Sequence, residues 1–200
     1  MGVRIQGSNE GGVFFITITC ARWLPLFDIT NGYHAVYKWF DSLQQKGHHI
    51  IAYVIMPNHL HVIIAFRKSH QSINLLVGNG KRFMAYELVK LLHALNRMDI
   101  VNQLSAWVNA TQRMANKKHE VFEPSFDRKE CRTIAFMKQK ANYIHMNPCK
   151  AGFVSIPENY LHSSAAYYYT GIQGIYPVVT YMELQDIDLG ISCNQYFICE

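Results

Sequence analysis

At 200 residues, half of them hydrophobic and 13% aromatic, the chain is long enough for one compact domain with a real core, marginal for two, and unlike a disordered polypeptide. No apolar run reaches the roughly 18 residues of a membrane span, and the N-terminal stretch lacks the pattern of a secretory leader. The net charge of +5 is uneven: residues 1–66 carry four Lys/Arg and three acids, residues 67–150 fifteen against six, and residues 151–200 no Lys or Arg and five acids.

Gly11–Gly12 opens a strand, Val13 to Cys20, in which Thr17 and Thr19 alternate with Ile16 and Ile18. Thr30 or Asn31 is expected to cap a helix to about Lys46, with Val36, Trp39, Phe40 and Leu43 as its apolar side and Gly47 as its stop. His49 to Met56 reads as a strand, Pro57–Asn58 as a turn, and His59 to Phe66 as the returning strand of a hairpin. Ser72 begins a helix to about Arg97, with Leu75, Leu76, Phe83, Leu88, Leu91, Leu92 and Leu95 as its apolar side. Residues 99–120 read as an insertion or a partly helical connector. His119 to Arg132 is expected to hold the last strand, and Thr133 to cap a helix ending before Pro148. Beyond Gly152 the chain reads as extended, tyrosine-rich wrapping.

The order strand–helix–strand–strand–helix–strand predicts an α+β fold of the ferredoxin-like, split βαβ kind. It has a four-stranded antiparallel sheet with helices on one face and an additional helix near the central hairpin. A single domain over 1–200 is expected, its core at about 13–170 and a C-terminal extension at 171–200. Cys20, Cys131, Cys149, Cys193 and Cys199 are odd in number and form no C-x-x-C pair. They speak against a disulfide framework or a zinc ribbon and fit a reducing cytoplasm.

Two local patterns carry chemistry. Residues two apart on a strand share a face, so His59 and His61 project together while Leu60 turns to the opposite layer. Two such imidazoles suit a divalent metal or are packing residues. His48–His49, adjacent on a strand, point to opposite faces and read as structural. Tyr143 and Asn147 stand four apart on the expected helix, about 5–6 Å between Cβ atoms. They are either a functional pair or a packed tyrosine and a helix end. The basic centre suits a polyanion-binding face, with Lys81, Arg82, Lys138 and Lys140 as candidate phosphate contacts, or belongs to two solvated helices.

Tyr53-Val54-Ile55-Met56-Pro57-Asn58-His59-Leu60-His61-Val62-Ile63-Ile64 resembles the HUH strand of the IS200-like single-tyrosine transposases, and more closely that of their relatives associated with repetitive extragenic palindromes (REP). Tyr143-Ile144-His145-Met146-Asn147-Pro148-Cys149-Lys150-Ala151-Gly152-Phe153-Val154 is similar to the tyrosine helix of that branch. Pro157-Glu158-Asn159-Tyr160 and Ser163-Ser164-Ala165 resemble its downstream segment, and Phe15-Ile16-Thr17-Ile18-Thr19 with Arg22 and Leu26-Phe27 its start. The resemblance covers roughly residues 13–170. Residues 99–120 look longer than the family's usual connector, 171–200 run past its usual end, and Cys149 stands where a branched apolar residue is frequent.

The resemblance implies that His59 and His61 are metal ligands, Asn147 is the third ligand and Tyr143 is the nucleophile. The ion implied is Mg²⁺ or Mn²⁺; imidazoles favour Mn²⁺ somewhat, and zinc stays open. Attack by Tyr143 on single-stranded DNA, at a hairpin with a flanking strand, would give a 5′-phosphotyrosine and a free 3′-hydroxyl. Phenols ordinarily hold their proton to about pH 10, so the proton needs help in leaving, and no general base is legible. Lys140, one turn before Tyr143, either steadies the phenolate or a phosphate, or is a solvated lysine. A monomer and a homodimer sharing its tyrosine helix both stay open.

A non-catalytic single-stranded nucleic-acid binder on the same fold is the alternative. A metallohydrolase acting on another substrate would want an acidic ligand, and residues 53–66 and 139–150 contain none.

Overall fold

A computed structural model describes residues 11–190. Four strands form one antiparallel sheet in the order β2-β3-β1-β4: β1 (Gly12–Thr19), β2 (His49–Met56), β3 (His59–Phe66) and β4 (Asp127–Glu130). This is the expected ferredoxin-like arrangement, with β3 and β1 central. In the β1–β3 register Thr17 faces His61 and Thr19 faces His59. In β2 an extra residue at Ile51 interrupts the pairing with β3. The bulge turns Ile51 and Ala52 to the same layer.

The two faces carry different helices. On one, Phe14, Ile16, Ile18, Tyr53, Ile55, Leu60, Val62 and Ile64 form the larger core with helices α1 (Leu26–Thr30), α2 (His34–Gln44) and α3 (Ile73–Ala94). On the other, Val13, Phe15, Val54, Met56, Ile63 and Ala65 pack against Met137, Ala141 and Ile144 of α6 (Ile134–Lys150). The connector between α3 and β4 holds α4 (Met98–Ala106) and α5 (Ala110–Met114), so residues 99–120 are largely helical.

Several local expectations need correction. Asn31 does not cap α2; it takes a left-handed conformation (φ 48°) and ends α1. A short polar side chain tolerates that region, so one residue type serves either end of a helix. Ser72 and Thr133 do cap α3 and α6, each accepting a backbone N–H three residues on. On α3 the buried stripe is Ile73, Leu76, Val77, Met84, Leu88 and Leu92, whereas Leu75, Phe83 and Leu95 are exposed. The phase is set at Gly80, where the Trp39 indole lies so close that a β-carbon would collide with it. The final strand spans only four residues. α6 runs through Pro148 to Lys150, because the proline deletes one late intrahelical bond and the chain closes with Ala151 N–H to Asn147 O and Phe153 N–H to Pro148 O.

Residues after Gly152 run along the outer edge of β2 and include α7 (Ala165–Thr170) rather than only extended wrapping. Ile55 N–H donates to His162 O, Ser164 N–H to Tyr53 O and Val179 N–H to Ile50 O, while the hydroxyls of Tyr160 and Tyr168 donate to Ile55 O and Ile51 O. An edge that would otherwise be open to another strand is thereby covered. Of the expected C-terminal extension, 171–190 are described and 191–200 lie outside the described residues. Among the described residues no helix is long and apolar enough to cross a membrane.

Candidate active site

His59 and His61 begin the central strand β3 and face the α6 side of the sheet, with ring centroids 4.6 Å apart. Both are nearly buried, at 9% and 7% exposure. Burial is the main cause that holds His59 down at about 4 and His61 at about 3; the neighbouring His59 and Lys140 push His61 the same way. Both imidazoles are therefore neutral at neutral pH, and each keeps one ring nitrogen with a lone pair.

Each ring is held through Nδ1. Asn58 Nδ2 donates to the Trp23 carbonyl (3.3 Å), which leaves its Oδ1 to accept from His59 Nδ1–H at 2.7 Å. With that proton on Nδ1, His59 offers the lone pair of Nε2. Thr17 Oγ1 lies 2.8 Å from His61 Nδ1. Whenever His61 Nε2 presents its lone pair, Nδ1 carries the proton and Thr17 accepts it. Phe15 stacks on the His61 ring at 5.5 Å, and the rings of Trp23 and His59 meet at 5.6 Å with 70° between their planes.

α6 brings the other two residues. Met137, Ala141 and Ile144 seat the helix on the sheet, and the same turn directs Tyr143 and Asn147 toward the histidines. The Tyr143 hydroxyl is 3.4 Å from His61 Nε2, a loose contact rather than a tight hydrogen bond. The residue is 40% exposed, so its side chain meets solvent as well as the imidazole. The Asn147 side chain is hydrogen-bonded to His59 and partly opposes the effect of burial there. Lys140 Nζ lies over the rings of Phe15 (5.2 Å), Phe136 (5.1 Å) and Tyr143 (5.8 Å), and Lys150 Nζ lies over Tyr143 at 5.8 Å. All four predicted site residues therefore converge, within one chain, and two ammonium groups flank the phenol.

Among the described residues no three His, Cys, Asp or Glu side chains gather as a metal-binding group. What gathers is two neutral imidazoles and one amide, a donor set that fits a divalent ion of borderline hardness and leaves the ion's charge uncancelled.

The candidate phosphate contacts are placed unequally. Lys140 belongs to the site and Lys138 is exposed on α6. Arg82 is exposed on α3, its guanidinium over Phe83 at 5.5 Å, on the opposite face of the sheet. Lys81 is placed otherwise than expected: its ammonium donates to the carbonyls of Glu123 (2.6 Å), Pro124 (3.2 Å) and Ser125 (3.1 Å), which ties a connecting loop to α3. His48 is structural as expected, its Nδ1 accepting Arg67 N–H. Sequence reasoning missed the contacts that Thr17, Asn58, Trp23 and Lys150 make with the site residues; only the pairing of Thr17 with His61 across the sheet would have marked one of them.

Across its whole length the chain superposes on a solved REP-associated tyrosine transposase bound to a REP hairpin, with a TM-score of 0.56, 18% identity and 99% of that chain covered. The chain has the fold of that transposase. A Deinococcus radiodurans protein provisionally named a transposase matches 72% of the chain and 95% of its own length at 11% identity, and its TM-score of 0.37 adds nothing to the transposase fold. A scan against protein-family models finds no match, and neither does a search of curated proteins. Within the transposase fold, the histidine pair opens the central strand and the tyrosine rides the helix laid across it.

Proposed function

We propose that this chain is a metal-dependent, single-stranded DNA endonuclease and strand transferase of the transposase type, acting at DNA hairpins through a 5′-phosphotyrosine. The observation that carries the reading is the meeting of one exposed phenol, Tyr143, with His61 Nε2 at 3.4 Å, on the same helix turn that brings Asn147 to His59. Buried packing would account for a tyrosine turned inward; it does not account for a 40% exposed tyrosine whose hydroxyl meets a buried imidazole.

His59, His61 and Asn147 would hold Mg²⁺ or Mn²⁺, which when bound supplies positive charge against the phosphate and its developing negative charge. Tyr143 Oη attacks phosphorus, the bond from phosphorus to the 3′-oxygen breaks, the phenol gives up one proton and the departing 3′-hydroxyl gains one. The new ester keeps the energy of the old, so a second 3′-hydroxyl can reverse the step and join strands. Lys140 and Lys150, their ammonium groups 5.8 Å from the phenol ring, favour the approach of a phosphate. Asn58 and Thr17 keep both imidazoles aimed.

The test is a labelled hairpin with single-stranded flanks, incubated with the protein across a Mn²⁺ titration and resolved on a denaturing gel. The unmodified chain is expected to give a covalent adduct and Tyr143→Phe none, although the ring contacts and DNA affinity persist. His59→Ala is expected to lower the yield and to regain part of it with excess metal. A full yield of adduct from Tyr143→Phe would remove Tyr143 as the nucleophile. DNA binding without any adduct would leave a non-catalytic binder.

A further inference from the structure

The turn between β1 and α1 holds two consecutive residues with β-carbons in the left-handed region, Arg22 (φ 50°) and Trp23 (φ 60°), a conformation such residues rarely adopt. It is held from three sides. Cys20 N–H donates to Asn58 O (2.9 Å) and Phe27 N–H to Pro57 O (3.0 Å), which bind the turn to the β2–β3 connection. Arg22 N–H donates to Glu123 Oε1 (2.8 Å), and Asn58 Nδ2 donates to the Trp23 carbonyl (3.3 Å). Neighbouring side chains are thereby parted. Arg22 lies over the Trp107 ring at 4.6 Å, and Trp23 stands against His59.

The outcome is unusual for so large an apolar side chain. Trp23 is 61% exposed and makes an edge contact with His59, yet its backbone is fixed by a strained turn that the rest of the fold maintains. An indole left in water contributes little to folding, so the strain has no return in core packing. It does hold a flat π-face one ring away from the imidazole. Strained backbone kept in place by its surroundings is characteristic of ligand sites.

We propose that Trp23 is the stacking platform for an unpaired nucleobase of the DNA strand, on the nucleotide adjoining the phosphate that Tyr143 attacks. The inference rests on the reading of the Tyr143 site given above. Aromatic stacking accepts any base, because every base has a π-face; the platform therefore selects for a base free of its complement, and so for single-stranded DNA beside a hairpin. Asn58 is the positioning residue for both halves of the site, since its amide nitrogen holds Trp23 and its amide oxygen holds His59. Arg22 adds positive charge on the side of the turn toward Trp107.

The experiment compares a DNA hairpin carrying single-stranded flanks on both sides with the same hairpin lacking them, in chelator so that nothing is cleaved. 2-Aminopurine is placed in turn at each flank position. The unmodified protein is expected to bind the flanked hairpin more tightly and to quench 2-aminopurine at one position next to the hairpin. Trp23→Ala is expected to lose that quenching and to bind the flanked hairpin roughly 5- to 150-fold more weakly, with the flankless hairpin unaffected; Trp23→Phe should retain most of both. Equal affinity for the two hairpins, no quenched position, or unchanged binding by folded Trp23→Ala would overturn the proposal. If Trp23→Ala fails to fold, the quenching map of the unmodified chain and Trp23→Phe decide it. Adduct formation is scored separately with Mn²⁺. An absent adduct with intact flank quenching refutes the nucleophile, not the platform.

Discussion

Replacing Thr17 by Val isolates the aim of a histidine from its presence. Valine keeps the β-branch and the strand preference of residue 17, so β1 and its pairing with β3 stay intact. The change deletes the hydroxyl 2.8 Å from His61 Nδ1 and leaves that nitrogen without its partner in a ring only 7% exposed. One part-buried hydrogen bond is worth about 1 kcal/mol, which for a chain of this size lowers Tm by about 2–4 °C. The larger effect falls on metal. An imidazole without its outer hydrogen bond binds a divalent ion about 10- to 100-fold more weakly, so the Mn²⁺ concentration that half-saturates adduct formation rises by that factor. At saturating Mn²⁺ the adduct rate should return close to the unmodified one, because Tyr143, its lysines and the DNA path are untouched. Calorimetric Mn²⁺ titration of the DNA-free protein and the gel assay measure the same shift by different means. An unchanged midpoint in both, with Tm lowered as expected, would show that Thr17 holds the fold and not the ligand.

Acid should destabilise the metal-free protein. Burial holds His48, His59 and His145 at about 4 and His61 at about 3, against 6.5 for an ordinary histidine. Below about pH 6.5 the unfolded chain takes up protons that the folded chain refuses, so stability falls through the window from 6.5 to about 3; a Tm at pH 5 equal to that at pH 7.5 would contradict this. Lys81→Met should cost on the order of 2 kcal/mol of stability by stranding three carbonyls and leave the salt dependence of DNA binding alone. Lys140→Gln should flatten that dependence by about 0.7 in the slope of log K against log salt. Parallel salt titrations and urea melts separate the two lysines, and a flattened slope for Lys81→Met would return it to the DNA face. Gly80→Ala should lower stability by about 1–3 kcal/mol through collision with Trp39, and urea unfolding with no loss would mean that the two helices part freely.

The hairpin of β2 and β3 and the caps Ser72 and Thr133 were legible because each rests on local spacing, whereas the four convergent residues were marked as one site by the family resemblance. A period of two puts His59 and His61 on one face, and a helical turn joins Tyr143 to Asn147. Phase and partnership were not legible. The leucines of α3 offer two overlapping stripes, and only the contact of Gly80 with Trp39 chooses between them. Lys81 and Lys140 are the same letter on basic helices, yet one is surrounded by carbonyls and the other by aromatic rings. Thr17 looked like an alternating strand residue because its role depends on which residue of β3 lies opposite. Asn58 looked like a turn residue because its amide serves a tryptophan thirty-five positions away as well as its own neighbour.

The sheet is covered unequally, with the larger apolar cluster under α1, α2 and α3 and the smaller under α6. The smaller layer has less area to lose on separating, so it opens at a lower free energy than the domain unfolds. Backbone amides of α6 should then exchange with solvent deuterium well before those of β1 and β3, whose strands the larger cluster continues to hold. The helix bearing Tyr143 and Asn147 is thus the element expected to open and re-form first, while the strand bearing the histidines stays behind as its fixed reference.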